Sequence, residues 1–106
     1  MERYLGKIRT CSFGLREGRL GYHFSLDFTG GGVDDFWGHF DGEPSEHANW
    51  TSRDRDHFFA HSMCKVGKLL REAKKQNFND LVGVPVEVTI ERDSLRSWRV
   101  LTEVIL

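Results

Sequence analysis

Two histidines and a cysteine stand at positions 57, 61 and 64, a spacing that gathers them on one side of a helix. At 100° per residue His57, His61 and Cys64 fall within about 60° of one another, with Asp54 and Lys68 beside them. Imidazoles at i and i+4 with a thiolate at i+7 could supply three zinc ligands, and Asp54 a fourth. Lys68 and Arg71 share the face, however, and cations next to a bound dication oppose it, so no metal is expected. The same residues make sense as a solvated helix face carrying an incidental thiol. They also make sense as a partner surface built from His57, His61, Lys68 and Arg71.

The most unusual local composition is Phe36-Trp37-Gly38-His39-Phe40, followed by Trp50. In a strand, Phe36 and Phe40 face one way while Trp37 and His39 face the other. One set can join a core. The other is then either an aromatic patch that stacks a base or anchors a partner, or is covered by residues 41–49 or by a second subunit. Trp37, His39, Trp50 and Trp98 are accordingly candidate stacking residues. Arg53, Arg55 and Arg99 stand close to them in sequence and could take phosphates through planar, bidentate forks. Lys65, Lys68, Arg71, Lys74 and Lys75 make the second half of the helix basic, which in most proteins is simply a solvated face.

Asp27, Asp34 and Asp35 are the acidic candidates for a metal-dependent hydrolase. A catalytic pair needs convergent carboxylates, and adjacent strand residues point to opposite faces. No nucleophile motif or phosphate loop is present, and the Gly30-Gly31-Gly32 run has no helix start behind it to hold an anion. The chain is expected to bind rather than catalyse, and no cofactor is implied.

The elements that must position these residues are legible in outline. Leu20, Tyr22, Phe24, Leu26 and Phe28 alternate with polar or small residues, the mark of a strand with one buried face. Residues 3–15 read as its hairpin partner through Arg16-Glu17-Gly18-Arg19. Ile8 and the set Cys11, Phe13, Leu15 fall on opposite parities, which predicts a bulge near residues 9–10. A third strand follows the glycine turn over Val33–Phe40, then an exposed loop over Asp41–Asn49.

Thr51 as N-cap and Asp54 three residues on predict a helix start. Phe59, Met63, Val66, Leu70 and Ala73, widened by Phe58, Ser62 and Leu69, predict its core stripe, and Asn77 its C-cap. Val84–Ile90 and Trp98–Leu106 then alternate as a final hairpin through Arg92-Asp93-Ser94. The expected fold is α+β: a single twisted antiparallel sheet of about five strands, β-β-β-α-β-β, with one long helix packed on one face. Strand order within the sheet is left open by the sequence.

A length of 106 residues fits one domain. Fifteen basic residues against sixteen acidic ones, net −1, argue against general nucleic-acid binding, which feeds on positive excess. No apolar run suggests a signal peptide or a membrane span, and two cysteines suit a reducing compartment, so a cytoplasmic, membrane-free protein is expected.

The segments Gly32-Val33-Asp34-Asp35-Phe36-Trp37-Gly38, Trp50-Thr51-Ser52-Arg53-Asp54-Arg55, residues 81–89 (LVGVPVEVT) and residues 95–104 (LRSWRVLTEV) resemble a family of small phage- and prophage-encoded proteins. The resemblance assigns no catalytic residue. It implies a setting in which small proteins act stoichiometrically on the host, sequestering a nucleotide-like defence signal or blocking a host defence protein or nuclease. The first is the leading expectation, through Trp37, His39, Trp50, Arg53, Arg55, Trp98 and Arg99. The second would use the His57, His61, Lys68, Arg71 face. A homo-oligomer is compatible with either.

Overall fold

The computed structural model describes residues 1–105. Strands β1 (Glu2–Arg16), β2 (Arg19–Phe28) and β3 (Gly31–Phe40) form a meander. Helix α1 (Ser52–Ala73) follows, and strands β4 (Pro85–Glu91) and β5 (Ser94–Val100) close the sheet. Short 3-10 turns stand at Phe78–Leu81 and Thr102–Val104. All neighbouring strands are antiparallel, in the order β3-β2-β1-β4-β5. This is the α+β sheet-and-helix arrangement expected from the sequence.

Local chemistry explains most of the boundaries. Glu17 and Gly18 both take positive φ (52° and 79°), as do Arg92 and Asp93 (53° and 62°), giving the two-residue turns whose twist matches a hairpin. The register of β1 against β2 shifts between Ile8 and Thr10, so Arg9 is the bulged residue. The bulge reorients β1 midway: Glu2–Lys7 pairs with β4, and Gly6–Arg16 with β2. Gly21 and Gly38 face each other where β2 and β3 pinch together. A Cβ on either would lie 2.2 Å from the neighbouring strand's carbonyl oxygen, which only glycine permits.

Because β3 and β5 both run parallel to β1, the ends of the sheet meet in parallel when it curls, and they approach closely without being hydrogen-bonded neighbours. The circular order β1-β2-β3-β5-β4, with the helix between β3 and β4, is a partly open five-stranded barrel with the topology of an OB-fold. Topology of this kind carries no function by itself. The concave face holds the core: Ile8, Phe24, Leu26, Val86, Val88 and Val100, closed by Leu69 and Ala73 of α1 and by Leu81 and Val84.

Helix α1 starts as its sequence demands. The Asp54 amide donates to the Thr51 hydroxyl (3.1 Å) and the Thr51 amide donates to the Asp54 carboxylate (2.8 Å). That backbone bond holds the Asp54 carboxyl below its ordinary value. At the other end Lys74, in the left-handed region at φ 56°, is the C-cap. Asn77 instead precedes the Phe78–Leu81 turn.

Several expectations need correcting. The buried stripe is Ser62, Val66, Leu69 and Ala73, with Phe59 and Leu70 half-buried; Met63 is 67% and Phe58 49% exposed. The helix is rotated towards Leu69 because its flank leans on β3, where Phe58 meets His39 rather than the sheet interior. The last strand stops at Val100. Leu101 turns inward and Thr102–Val104 forms a 3-10 turn, so the alternation from Thr102 on does not mark a strand. Leu106 lies outside the described residues. No helix is long and apolar enough to cross a membrane among the described residues.

Leu69→Asp is expected to remove about 2–3 kcal/mol of apolar burial and to strand a carboxylate, which together unfold a domain of this size. Lys68→Asp, one residue away but outward, is expected to change stability by less than about 0.5 kcal/mol. Paired thermal melts check the rotation. Equal melting temperatures would refute it.

Candidate functional site

The three indoles were the leading candidates, and the structure shows what they touch. Trp37 lies on the concave side of β3, opposite Tyr22, and Trp98 on that of β5, opposite Val88. The curl of the sheet stacks them, centroids 5.5 Å apart and 15° from parallel. Both lean on Phe24, at 4.5 and 5.1 Å. One carboxylate joins them: Asp35 Oδ2 accepts the indole N–H of Trp37 at 2.8 Å and that of Trp98 at 2.7 Å. Its Oδ1 accepts the Phe36 amide at 2.9 Å. The Lys65 ammonium sits 4.1 Å above the Trp37 ring. Charge-assisted bonds of this kind are about twice as strong as neutral ones, and Trp37 has its faces and its polar edge engaged within the chain.

The aromatic row continues along β3 towards the β1–β2 turn. His39 stacks on Phe58 (5.2 Å) and meets Trp50 edge-on (4.8 Å). Trp50 stacks on Phe40 (5.8 Å), and the Arg19 guanidinium lies over Phe40 at 5.0 Å. Beside Trp50 and Phe40 a shallow depression of about 370 Å³ is lined by Asp41 and Glu43 as well as Gly18, Ser45 and Ala48. Two carboxylates at its wall favour a cation over a phosphate.

The arginines expected beside the indoles lie elsewhere. Arg55 donates to the Gly42 carbonyl (3.0 Å), Glu43 (3.1 Å) and Asp56 (2.9 Å), pinning the 41–49 loop to the helix start. Its pKa is raised first by the Asp56 bond and then by Glu43. Arg99, on the opposite face of β5 from Trp98, is forked between Glu103 and Glu87, and the Glu103 bond in turn lowers that carboxyl's pKa. Arg53 is exposed on the helix, away from any ring face. The structure therefore brings together Trp37, Trp98, His39 and Trp50 in one row, but supplies Lys65 and Arg19 as its cations in place of Arg53, Arg55 and Arg99.

The other candidate surface is intact. His57, His61, Cys64, Lys68 and Arg71 are all exposed on the outward face of α1. His57 and His61 stack with centroids 6.5 Å apart. Among the described residues no three His, Cys, Asp or Glu side chains are arranged to hold a metal. Asp54, the fourth ligand considered from the sequence, is occupied by the cap.

On the convex face of the sheet Ser25 donates to Asp34 at 2.8 Å, and the His23 Nε2 stands 3.9 Å from the same carboxylate without a hydrogen-bond partner. Arg9 and Asp27 face each other at 3.9 Å nearby. Mixed charge and the 3.9 Å gap leave neither an activated nucleophile nor a phosphate cradle there.

No family model, curated protein or solved structure matches the chain. Sequence reasoning named Asp35 as an acidic candidate and Lys65 as part of a basic run, but not as the partners of Trp37. The available signal for Asp35 was its parity: it shares a strand face with Trp37, two residues away, so a carboxylate and an indole N–H were bound to meet.

Asp35→Ala is expected to cost about 1–3 kcal/mol, since two half-buried indole donors lose their shared acceptor, and to shift tryptophan emission to the red. Asp34→Ala, its exposed neighbour, serves as the control and should cost less than about 1 kcal/mol. Cys64 should label with a thiol reagent within minutes. Cys11 should resist, because burial raises its pKa and its thiol donates to the Phe78 carbonyl at 3.3 Å.

Proposed function

We propose that the protein acts stoichiometrically by binding, and that the outward face of α1 docks on an acidic surface of another protein. One observation carries the reading. Arg53, Lys68 and Arg71 line this face with His57 and His61, and none of the three has an ion-pair partner within the described residues. Of the helix acids, Asp54 is engaged in the N-cap and Asp56 binds Arg55, while Glu72 borders the face without forming an ion pair with Lys68 or Arg71. From Arg53 to Arg71 the cations span about 27 Å of a rigid cylinder. That length suits the side of an ordinary protein interface.

The choice between this reading and capture of a nucleotide-like signal turns on where rings and cations stand. A base needs an open indole face, and Trp37 stacks on Trp98 beneath Lys65. Phosphates need free guanidinium groups, and Arg55 and Arg99 are neutralised by carboxylates. The net charge of −1 speaks against a nucleic-acid backbone as the partner. In the phage setting that the sequence blocks resemble, an acidic partner is a host defence protein or nuclease, which the protein would block by occupying its surface.

Tagged protein and a Lys68→Glu/Arg71→Glu variant, used in parallel on host extract, test the proposal. A host protein retained by the wild type should be lost with the double variant, whose melting temperature stays within about 0.5 kcal/mol of wild type in stability. Retention should also fall steeply with added salt. A partner that binds the double variant equally well would refute the helix face. A rise in melting temperature with any of a panel of mono-, di- and cyclic nucleotides would favour the ligand reading instead.

A further inference from the structure

Strand β1 is much longer than the strand that covers its outer edge. β4 pairs with it only over Glu2–Lys7, and the bonds from Ile8 N–H to the Val84 carbonyl (3.0 Å) and from Gly83 N–H to the Ile8 carbonyl (2.7 Å) extend that cover by one residue. The Cys11 thiol on the Phe78 carbonyl is the last contact along this edge. From Ser12 to Arg16 the backbone away from β2 has no hydrogen-bonded partner among the described residues. The apolar face runs out of cover over the same five residues. Phe13 is 57% and Leu15 67% exposed, although Phe13 continues a ring series through Tyr22 (4.9 Å) to Phe78.

Exposed edges are normally blunted by proline, lysine, an inward charge or a covering loop. Ser12-Phe13-Gly14-Leu15 has none of these. One more strand would satisfy both deficits together, giving the backbone its partner and the two side chains their cover.

We infer that this strand is the same segment of a second copy of the chain, paired antiparallel about a two-fold axis through Gly14. The free segment is symmetric about that residue. With Gly14 opposite Gly14 of the second copy, Phe13 lies against Leu15 twice and Ser12 against Arg16 twice. The apolar side chains form one four-residue cluster on the concave face, and no like charges oppose each other. Moving the centre to Phe13 would pair Arg16 with Thr10 and push the second copy into the Phe78–Leu81 turn that already shields Cys11. The interface is isologous, so it closes at two copies.

The axis is perpendicular to the sheet at the contact, and the two helices therefore lie on the same side of the joined sheets. The inference stands independently of the proposed function. If both hold, two cationic helix faces are offered to one partner, and the second contact forms at high effective concentration.

Sedimentation of the wild-type protein through the micromolar range should show a dimer, and Leu15→Asp should be a folded monomer that melts as the wild type does when diluted to its monomer, because Leu15 is 67% exposed in its own fold. A covalent trap fixes the register. A Cβ at Gly14 meets nothing within 4 Å, so Gly14→Cys is sterically free. Residues directly opposite in antiparallel strands have Cα atoms about 4.5–5.5 Å apart, within disulfide range. In a Cys64→Ser background, mild oxidation should cross-link Gly14→Cys and leave Ser12→Cys uncross-linked. A monomer at every concentration would overturn the inference. So would a dimer that survives Leu15→Asp, or one in which Gly14→Cys fails to link.

Discussion

The two ends of the sheet are joined through one carboxylate. Asp35 Oδ2 takes an indole N–H from its own strand and another from Trp98, 63 residues further along the chain. The sheet's free ends are β3 and β5, and neither hydrogen-bonds the other through its backbone. What holds them in register is this side-chain bridge and the paired indoles stacked on Phe24. A half-buried carboxylate with two or three good donors keeps its polar atoms satisfied where an unpaired one would be costly. The same bridge orients the face on which α1 rests, through Lys65 on Trp37 and Phe58 on His39. Without the bridge the sheet would open at its weakest seam and the helix would lose its footing on β3.

The parts of this structure that a reader of the sequence can foresee are those set by neighbours in the chain. Thr51 and Asp54 cap each other because they are three residues apart. Ile8 and Cys11 fall out of phase because a residue bulges between them. Arg92-Asp93 reverses the chain because only two residues link two alternating runs. Rotation of the helix was less legible. Met63 and Leu69 satisfy the same 3.6-residue period, and what chooses Leu69 is the curl of the sheet. Closure was not legible, since Trp37 and Trp98 are distant in sequence and strand order has no local signal. The guess that arginines accompany the tryptophans used proximity in sequence. In space Arg55 and Arg99 had carboxylates closer at hand, Asp56 and Glu43 for one and Glu103 and Glu87 for the other.

A net charge of −1 conceals a segregated surface. Carboxylates populate the sheet and the 41–49 loop, where Arg9, Arg55, Arg96 and Arg99 answer Asp27, Glu43, Asp56, Glu91, Glu87 and Glu103. On the outward face of α1, Arg53, Lys68 and Arg71 form no ion pair among the described residues. Surface ion pairs stabilise a fold only slightly, about 0–1 kcal/mol each, so the pairing on the sheet does little for stability. Its larger effect is to offset charge locally, whereas those three cations on α1 have no ion-pair partner among the described residues. Bulk charge is a poor guide to such a molecule, because the quantity that steers a partner is the local potential over a face about one helix long.

That face belongs to a helix held at both ends. The capping box fixes the helix at Thr51 and Asp54. Arg55 ties the preceding loop to it, and the Lys74 and Lys75 amides return to the Arg71 and Leu70 carbonyls at the far end. Leu69 and Ala73 seat its second half in the core. Side chains held at fixed separations on such a cylinder lose less freedom on docking than side chains on a loop would, so more of their interaction energy survives as affinity. Trp37 and Trp98, by contrast, use their ring faces to hold β3 against β5. Two groups of residues that look alike in sequence as binding material thus divide into one that builds the scaffold and one that the scaffold presents.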